Sequence, residues 1–547
     1  MTGAGKKLGK QVSTSSGPGA SVLGHRDPKL AWMKYCGFLD LSMQDFLEIQ
    51  EELLGEQIDL IRASPLGRRV LRGMAPKNAA EFRQEVPLTT YGDYVPFLSP
   101  GNDSVLSEKP VEWTHTTGAQ ADFKWIPYTR RGIERLLDNL MAAFILAAAS
   151  SRGEVNVWPG DTVLYNAPER PYVSGLATFG MAERFGFRGV LDPETSERLD
   201  FKKRVREGFK EALGKRVDVI MAMTSVLVKV GEDFAEESRK TQLDRSYLRP
   251  LAMMRLTKAM VKSKLLRRQI LPKDLWPTKA LLGWGVDSPF FKDRARYYWG
   301  RSPFEIYACT EGGIMGMQAW DRQGMVFNPY SDFMEFIPVE DSLKSREDTR
   351  FRPQTLLLNE VVPGRSYEVV ITNFYGMACT RYRVGHFVQF IPGKMSPGGL
   401  PQFTFLGRAD DRIDLAGFTR IDEKSVWEAL NLAGLRYEEW TVRKEFDTNA
   451  PLLHMYIELK EGRTQEDVRG LLHEKLKQVD PFYSDLESIL NIRPLRVTCL
   501  ARGTFDRFYD ERQKAGLELG RLRPPHMNAC DDDIQDLIKL GAGPLEK

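Results

Sequence analysis

The spacing of apolar residues changes along the chain from helical to alternating, and this change predicts the elements. The stretch MQDFLEIQEELLGEQIDLI (43–61) has the three-and-four spacing of an amphipathic helix. Further on, the short apolar runs DTVLYNAP (161–168) and VDVIMAMTS (217–225) read as strands. They alternate with the helical patterns at 130–150 and 200–215. This alternation predicts an α/β fold with a mostly parallel sheet.

The later part of the chain has a different pattern, which favours antiparallel strands. YEVVITNFYG (367–376) and RYRVGHFVQFIPG (381–393) alternate apolar and polar positions, and the second is read as a strand pair around Val384-Gly385. A Pro/Gly-rich loop follows at 393–402, and FLGRADDRIDLAGFTRI (405–421) comes soon after it.

These changes in pattern suggest three segments. Residues 1–27 are rich in Gly, Ser and Lys and predict a disordered tail. We expect a large N-terminal domain of mixed sheets and helices over residues 28–407. A smaller α+β domain would occupy residues 408–547, with the boundary in the charged stretch after Gly407.

Composition and charge exclude several classes of protein. Lys+Arg at 77 against Asp+Glu at 74 leaves a net charge of +3 in 547 residues, too balanced to indicate a nucleic-acid surface. Five scattered cysteines with no CxxC pair argue against a disulfide framework or structural zinc and favour a reducing cytoplasm. The most apolar run, LMAAFILAAAS (140–150), is too short to span a bilayer and predicts a buried helix. We therefore expect no nucleic-acid partner and no membrane association.

The stretch TTGAQADFK (116–124) has the outline of a loop that holds phosphate. Its glycine, Gly118, lets the backbone approach an anion closely, Thr116 and Thr117 offer hydroxyls, and Lys124 offers charge. A polar β-turn before a strand explains the same residues, and taken alone this stretch favours the turn.

The stretch EIYACTEGGIMG (305–316) places a hydroxyl and a carboxylate at the end of a strand. Ligands of open α/β sheets bind at such ends. Glu311 is a hard oxygen ligand suited to Mg²⁺, Thr310 can bond a phosphate oxygen, and Tyr307 could flank a base. A glycine-rich strand end with a solvated glutamate is the alternative. For Arg408 to Arg412, a charged turn between strands competes with an interdomain hinge.

The four motifs together are far more specific than any one of them. TTGAQADFK, YACTE, YRVGH and GRADDRID resemble, in order and spacing, the core motifs of the acyl-adenylate-forming superfamily. Within it, the chain most resembles the Gretchen Hagen (auxin-responsive) acyl-acid amido synthetases and their bacterial relatives. That likeness covers nearly the whole chain after residue 30, including LWPTKALLGWGVDSPFF (275–291) and the terminal GRLRPPHM (520–527).

The resemblance implies an AMP-forming ligase that uses ATP and Mg²⁺. Such an enzyme joins a carboxylic acid to ATP as an acyl-adenylate and then transfers the acyl group to an amine, usually an amino acid. The residues that match the family motifs take the following roles. Glu311 would bind the metal, and Thr310 would bind the α-phosphate. The departing phosphates would be contacted by Thr116, Thr117, Gly118 and Lys124. Tyr307 would lie near adenine, Arg408 would lie near the ribose or the hinge, and Asp410 would be the pivot about which the small domain turns.

Three nucleotide contacts depart from the family pattern. Ala119, Gln120 and Ala121 replace two hydroxyl residues and a glycine in the phosphate loop. His386 replaces the aspartate that accepts both ribose hydroxyls, and Arg523 stands where the family brings a catalytic lysine. We expect a working amide-forming ligase. An acyl-CoA-forming ligase and a degenerate member that binds a ligand or partner without turnover remain the alternatives. The sequence does not identify the acid, the amine or the oligomeric state.

Overall fold

The structure is a computed structural model of the chain. It describes residues 23–115, 124–166, 170–199, 201–237, 250–284, 288–348, 350–408, 412–415, 419–447, 450–480, 483–484, 486–487, 493–515 and 524–541. Its α-helices are α1 Pro28–Cys36, α2 Met43–Ile61, α3 Pro65–Val70, α4 Ala79–Glu85, α5 Arg130–Ala148, α6 Val173–Phe185, α7 Pro193–Arg198, α8 Phe201–Leu213, α9 Thr224–Glu237, α10 Pro250–Leu265, α11 Pro272–Leu275, α12 Ser288–Trp299, α13 Val339–Glu347, α14 Glu423–Leu432, α15 Gln465–Val479, α16 Thr504–Lys514 and α17 Asp531–Gly541.

The strands form one large sheet and three small ones. They are β1 Glu112–His115, β2 Trp125–Tyr128, β3 Thr162–Asn166, β4 Arg188–Gly189, β5 Val219–Met223, β6 Ala280–Trp284, β7 Phe304–Cys309, β8 Gly313–Gln318, β9 Met325–Phe327, β10 Asp332–Pro338, β11 Ser366–Asn373, β12 Tyr382–Met395, β13 Pro401–Arg408, β14 Arg412–Leu415, β15 Thr419–Asp422, β16 Tyr437–Asp447, β17 Ala450–Leu459 and β18 Leu495–Leu500. The large sheet has eleven strands in the order β10-β11-β12-β13-β9-β8-β7-β6-β5-β3-β4.

Strand β7 is where the large sheet changes from parallel to antiparallel. On one side, β4, β3, β5, β6 and β7 pair in parallel. On the other side, β7 pairs antiparallel with β8, and the antiparallel pattern continues through β9, β13, β12 and β11 to β10. The carboxyl end of β7 is therefore a topological switch point, where open α/β sheets bind ligands.

Helix α2 ties the start of the chain to the antiparallel half of the sheet. Ser42 and Asp45 form a capping box at its N-terminus, which fixes where the helix begins. Two of its buried residues are polar. The Gln50 amide donates to the carbonyls of Pro329 and Asp332, at 2.6 and 2.7 Å, and Gln57 donates to the Met377 carbonyl at 2.9 Å. Their oxygens accept from Met334 N and Gly376 N, so these amides pair the helix with backbone about 300 positions away.

Helix α5 is the buried helix predicted from the apolar run. Every residue from Leu140 to Ala148 is at most 5% exposed. Thr129 caps the helix by accepting from the Gly132 amide. The helix packs against α1, α6, β6 and β8, so its uniformly apolar end is surrounded by protein. Among the described residues, no helix is long and apolar enough to cross a membrane.

The C-terminal part has its own three-stranded sheet, and its main buried cluster is continuous with buried residues between 164 and 299. β16 and β17 pair antiparallel, while β17 and β18 are parallel and are joined by a crossover that contains α15. Trp440 on β16 is completely buried, and α14 and α15 pack on each other. In chain order, the last strand of the large sheet is β13, which ends at Arg408. The short hairpin of β14 and β15 follows it. The proposed domain division at residue 408 stays a prediction.

Most elements predicted from the sequence are present, with two corrections. The α/β fold, with a large mixed-sheet part and a smaller C-terminal part, is confirmed. However, residues 382–393 lie in one strand, β12, not in a strand pair, because Gly385 (φ +75°) forms a bulge instead of a turn. The predicted tail is also too long. Residues 1–22 lie outside the described part, but Leu23 is fully buried and Asp27 caps α1.

Candidate active site

The Thr310-Glu311 pair follows β7 directly, and its backbone is held from two sides. The Tyr128 hydroxyl on β2 donates to the Thr310 carbonyl at 2.8 Å, and the Asn373 amide at the end of β11 donates to the Glu311 carbonyl at 2.9 Å. Gly313, with φ +64°, makes the tight return into β8. The pair therefore lies at the switch point of the sheet, as the sequence predicted for a strand end.

The Glu311 carboxylate forms a triangle with a tyrosine and a lysine. The Tyr382 hydroxyl donates to Glu311 Oε1 at 3.1 Å, and Lys124 Nζ lies 3.4 Å from that hydroxyl and 4.0 Å from Glu311 Oε1. Burial, together with the charge of Glu311, holds the pKa of Tyr382 well above its usual value, so the hydroxyl keeps its proton and donates. Among the described residues, Glu311 Oε2 has no hydrogen-bond partner.

Lys124 is held at the mouth of this triangle and remains partly open to solvent. Its ammonium lies 5.7 Å from the ring centroid of Tyr91, and the Tyr91 hydroxyl accepts from the Trp125 amide at 2.6 Å. The Lys124 side chain is 34% exposed, whereas that of Glu311 is 8% exposed. A cation that is anchored but not enclosed can still contact an anionic ligand.

A buried carboxyl lies behind the Glu311 backbone. Asn373 donates to Asp332 Oδ1 at 2.8 Å through the same amide nitrogen that bonds Glu311. Burial raises the pKa of Asp332 to about 8, although the Asn373 hydrogen bond opposes the shift. Asn373 also accepts from the Cys379 amide at 2.8 Å, so it fixes both Glu311 and the segment that leads to Tyr382.

Tyr307 and His386 form a second group, deeper in the sheet. The Tyr307 hydroxyl lies 3.2 Å from His386 Nδ1, and burial holds the pKa of Tyr307 well above its usual value. The Tyr307 ring packs against Phe327, Phe403 and Phe405 and is 3% exposed. These rings surround the side chain, and its hydroxyl edge lies beside His386.

His386 is placed by the bulge in β12. It pairs in register with Arg408 on β13, so two of the predicted nucleotide contacts are opposite each other across one strand pair. Bulges next to functional sites commonly re-aim a side chain. The backbone of Arg408 is described, whereas its side chain is not.

Several predicted site residues lie outside the described part of the chain. These are Thr116, Thr117 and Gly118 with the altered positions Ala119, Gln120 and Ala121, together with Asp410 and Arg523. The residues flanking the phosphate loop are described. His115 at the end of β1 pairs with Trp125 at the start of β2, so this antiparallel pair brackets the TTGAQADFK stretch.

The segment that follows Arg523 is anchored to β16 by a histidine. His526 lies between Glu423 Oε1 at 2.5 Å and Glu439 Oε1 at 2.8 Å, and its ring stacks on Trp440 with 4.4 Å between centroids. Burial acts to lower the pKa of His526, but Glu439 and Glu423 outweigh it and raise the pKa to about 10. The imidazole is therefore cationic at neutral pH and bridges α14 and β16.

Sequence reasoning missed three residues of this site: Tyr382, Tyr91 and Asn373. Tyr382 lies inside the YRVGH motif, so a signal was present, but its partner Glu311 is 71 positions away. Tyr91 and Asn373 lie in TTYGDY and ITNFYG, two stretches whose polar residues gave no functional spacing.

Models of one protein family match three parts of the chain. The GH3 family N-terminal domain matches residues 36–165, the central domain residues 325–408 and the C-terminal domain residues 423–529. Together the three matches cover more than half of the chain. They span the motifs YRVGH and GRLRPPHM and the predicted phosphate loop.

Two curated relatives and two solved structures are similar to the chain. Jasmonoyl–L-amino acid synthetase GH3.5 of Oryza sativa subsp. japonica is 24% identical over 287 residues, which is 48% of each chain. Jasmonoyl–L-amino acid synthetase JAR4 of Nicotiana attenuata is 25% identical over 205 residues, 36% of this chain and 34% of that protein. These matches span about half or less of the relatives' length.

The similar structures share the fold at low identity. AtGH3.15 acyl acid amido synthetase, in complex with 2,4-DB, superposes with a TM-score of 0.64 at 16% identity, covering 94% of this chain and 96% of that one. A 2-hydroxyisobutyryl-CoA ligase in the postadenylation state has a TM-score of 0.60 at 16% identity, covering 91% and 93%. The architecture is that of adenylate-forming enzymes.

Proposed function

Because the chain belongs to the GH3 family, we propose that it is an AMP-forming ligase that activates a carboxylic acid with ATP and joins it to an amine, an amino acid in the first instance. Membership of the family confirms the resemblance noted from the motifs. The proposed substrates are small molecules, and we place the enzyme in the cytoplasm.

The observation that carries this proposal is the triangle of Glu311, Tyr382 and Lys124 at the switch point of the sheet. The triangle places a carboxylate, a hydroxyl donor and a cation within 4.0 Å of one another. This arrangement suits a ligand that brings both negative charge and a divalent metal. Nucleoside triphosphate with Mg²⁺ has this chemistry.

Glu311 suits Mg²⁺ because its carboxylate keeps an oxygen without a partner among the described residues. The metal would neutralise charge on the phosphate oxygens as the α-phosphorus is attacked. Tyr382 orients the carboxylate by occupying the other oxygen. Thr310 would contact the α-phosphate, and Lys124 would contact the phosphates that leave.

The phosphate loop and the ribose contacts complete the proposed nucleotide site. Thr116, Thr117 and Gly118 supply loop hydroxyls and backbone amides, while Ala119 and Gln120 weaken this grip relative to the family pattern. Loss of each charge-assisted bond costs about 1.5–3 kcal/mol. Tyr307, His386 and Arg408 would bind the nucleoside, where one imidazole acceptor replaces a bidentate carboxylate.

The reaction proceeds in two steps. A carboxylate oxygen of the acid attacks the α-phosphorus, the bond to the bridging oxygen breaks, and pyrophosphate leaves. An amine nitrogen then attacks the acyl carbon, AMP leaves, and the nitrogen loses a proton. We propose that Arg523 supplies positive charge in the first step and that the C-terminal domain turns about Asp410 between the steps.

Exchange of labelled pyrophosphate into ATP, dependent on Mg²⁺ and on a carboxylic acid, tests the first step. A panel of aliphatic, aromatic and jasmonate-like acids serves as substrate, and hydroxylamine traps any adenylate as a hydroxamate. Folded protein that binds no nucleotide at millimolar concentration in calorimetry would contradict the proposal and favour a degenerate family member.

The acceptor is tested separately because the fold is also that of a CoA ligase. An active acid is incubated with ATP and either an amino-acid mixture or coenzyme A, and products are identified by mass spectrometry. An N-acyl amino acid supports amide formation. A thioester formed in preference to any amide would replace it with the acyl-CoA-forming alternative.

A further inference from the structure

Helix α10 presents an unusual surface: it buries its smallest residues and exposes its largest apolar ones. Ala252 and Ala259 are fully buried, while Met254, Val261 and Leu265 are 62%, 54% and 78% exposed. Amphipathic helices of soluble proteins ordinarily turn their large apolar residues toward the core. The alanines and the half-buried Leu256 therefore face the core, and a second group of large apolar side chains is left to solvent.

The apolar face is concentrated, not scattered. Among the described residues, seventeen large hydrophobic side chains are exposed, and six of them lie between residues 253 and 266. The six are Met253, Met254, Met260, Val261, Leu265 and Leu266. Single exposed hydrophobics are normal on protein surfaces, whereas a contiguous group marks a contact surface. At 1.5 Å per residue, the 16-residue helix offers a face about 24 Å long.

The charge on this helix is of one sign. Its sequence PLAMMRLTKAMVKSKL contains Arg255, Lys258, Lys262 and Lys264 and no acidic residue. Lys262 pairs with Asp274, but Lys258 and Lys264 have no acidic partner among the described residues. By helical spacing, Lys258 borders the exposed apolar stripe and Lys264 lies within it, where a long side chain can keep its ammonium at the level of charged groups around the stripe.

We propose that the exposed face of α10 docks the protein onto anionic membrane surfaces. An anionic occupant follows from the unpaired lysines, and the same charge disfavours a second copy of the chain, because two such faces would bring like charges together. The exposed side chains stand on one convex helix, so a deformable lipid interface can cover them all. Exposed apolar side chains flanked by lysines are a feature of helices that lie in a membrane interface.

This inference is independent of the proposed enzymatic activity, and it departs from the composition-based expectation of no membrane association. The overall charge of +3 is too small to attract a membrane without a local concentration of this kind. A membrane-docked enzyme would meet poorly soluble acids at the surface where they partition.

Vesicle co-sedimentation of the full-length protein tests the proposal. We expect binding to phosphatidylcholine vesicles that contain 30% phosphatidylglycerol, at most weak binding to pure phosphatidylcholine, and loss of binding at high salt. The substitutions Met254→Ser, Val261→Ser and Leu265→Ser, combined, should abolish binding. The matched control combines Met33→Ser, Val95→Ser and Val362→Ser, whose parent side chains are 62%, 58% and 49% exposed elsewhere on the surface.

A charge-reversal pair separates electrostatics from apolar insertion. Lys258→Glu with Lys264→Glu should weaken binding to anionic vesicles about tenfold or more. Lys77→Glu with Lys109→Glu makes the same change in net charge on exposed lysines elsewhere and should have little effect. Circular dichroism verifies that every variant is folded.

Four results would overturn the proposal. The first is no sedimentation of folded protein with any vesicle at micromolar concentration, and the second is equal loss of binding in the control variants. The third is a concentration-dependent dimer that the triple α10 variant converts to monomer, which would make the face a self-interface. The fourth is binding to a polyglutamate peptide with none to vesicles, which would indicate an acidic protein partner.

Discussion

Two neighbouring sets of charged residues at the large sheet differ in how completely their polar atoms are paired. Arg381 and Glu335 are 5% and 0% exposed, and the guanidinium makes two bonds to the carboxylate, 2.7 and 3.1 Å long, and further bonds to Thr355, Arg83 O and Val86 O. The pair is closed, in the sense that every charged group has several partners. Arg383 and Glu368 form a second closed pair two residues along.

Tyr382 lies between these two arginines in the sequence but belongs to the open set. Lys124 and Glu311 are 4.0 Å apart, Lys124 is a third exposed, and one carboxylate oxygen has no partner in the described part of the chain. Closed pairs hold the strand that carries Tyr382, whereas the open pair keeps capacity to bind a ligand. Spare hydrogen-bonding capacity, more than charge or burial, therefore separates the residues that we propose to be functional from the closed pairs.

The largest expected effect comes from breaking a closed pair. Arg381→Met keeps most of the side-chain volume but leaves Glu335 buried without its counter-charge, so the free energy of unfolding should fall by about 3–5 kcal/mol. Urea unfolding followed by circular dichroism measures this. As a control, Arg350→Met removes an exposed pair with Asp348 and should change stability by less than about 0.5 kcal/mol. Equal effects of the two substitutions would contradict the distinction.

The open pair should show the reverse: a loss of activity with little loss of stability. Glu311→Gln keeps the shape of the side chain and removes the charge that a hard metal ion needs, so pyrophosphate exchange should fall roughly 10²–10³-fold. Glu305→Gln, on β7 just before the Thr310-Glu311 pair and outside the triangle, serves as control and should leave exchange within about threefold. If the Glu311→Gln variant exchanged pyrophosphate at the wild-type rate, the proposal that Glu311 binds the metal would be wrong.

A smaller effect is expected at Tyr382, which lies between the two closed pairs in sequence and contacts the open pair. Tyr382→Phe removes the hydroxyl that orients Glu311, a charge-assisted bond of about 2 kcal/mol, so exchange should fall roughly thirtyfold while the Mg²⁺ concentration for half-activation rises. Tyr367→Phe removes a similarly buried hydroxyl that accepts from the Val362 amide, 2.8 Å away. That control should lose stability but keep its Mg²⁺ requirement. If both variants behave alike, Tyr382 has only a structural role.

The last effect depends on pH and concerns His526, whose imidazole is paired with the carboxylates of Glu423 and Glu439. Its folded pKa of about 10 exceeds the unfolded value near 6.5, so its contribution to stability is complete below pH 6.5 and is lost as pH rises through 10. His526→Gln should therefore lower stability at pH 6 by more than about 1 kcal/mol, and the difference should shrink as pH rises toward 10. Unfolding midpoints at pH 6, 8 and 10 measure it, and a difference that is constant with pH would contradict the ion-pair interpretation.

The sequence predicted local elements better than the partners of charged residues. Helix α2 lies in the stretch whose apolar spacing predicted a helix, because periodicity is a local signal. The strand-end position of Glu311 was also predictable from its motif. The partnership of Glu311 with Tyr382 was not, since β12 and β7 are not neighbours in the sheet and their contact depends on the fold as a whole.

The misreading at Gly385 has a physical cause. Gly385 signalled a turn, but it forms a bulge that keeps β12 continuous and aims His386 toward Tyr307. Arg381 and Arg383 on either side of Tyr382 are enclosed by carboxylates from β10 and β11, which hold this segment in place. The local pattern was ambiguous, and contacts with neighbouring strands decided the outcome.

The two glutamines of helix α2 have a consequence for synthesis of the chain on the ribosome. Gln57 reaches its final partner, the Met377 carbonyl, only after 320 further residues have been made. At about 5–20 residues per second, that interval is tens of seconds. During this time the helix can fold locally and contact α3, but Gln50 and Gln57 lack their backbone partners in the antiparallel half of the sheet. The nascent chain therefore carries an exposed amphipathic helix for most of its synthesis, and the N-terminal segment can complete its packing only after the antiparallel half of the sheet has emerged.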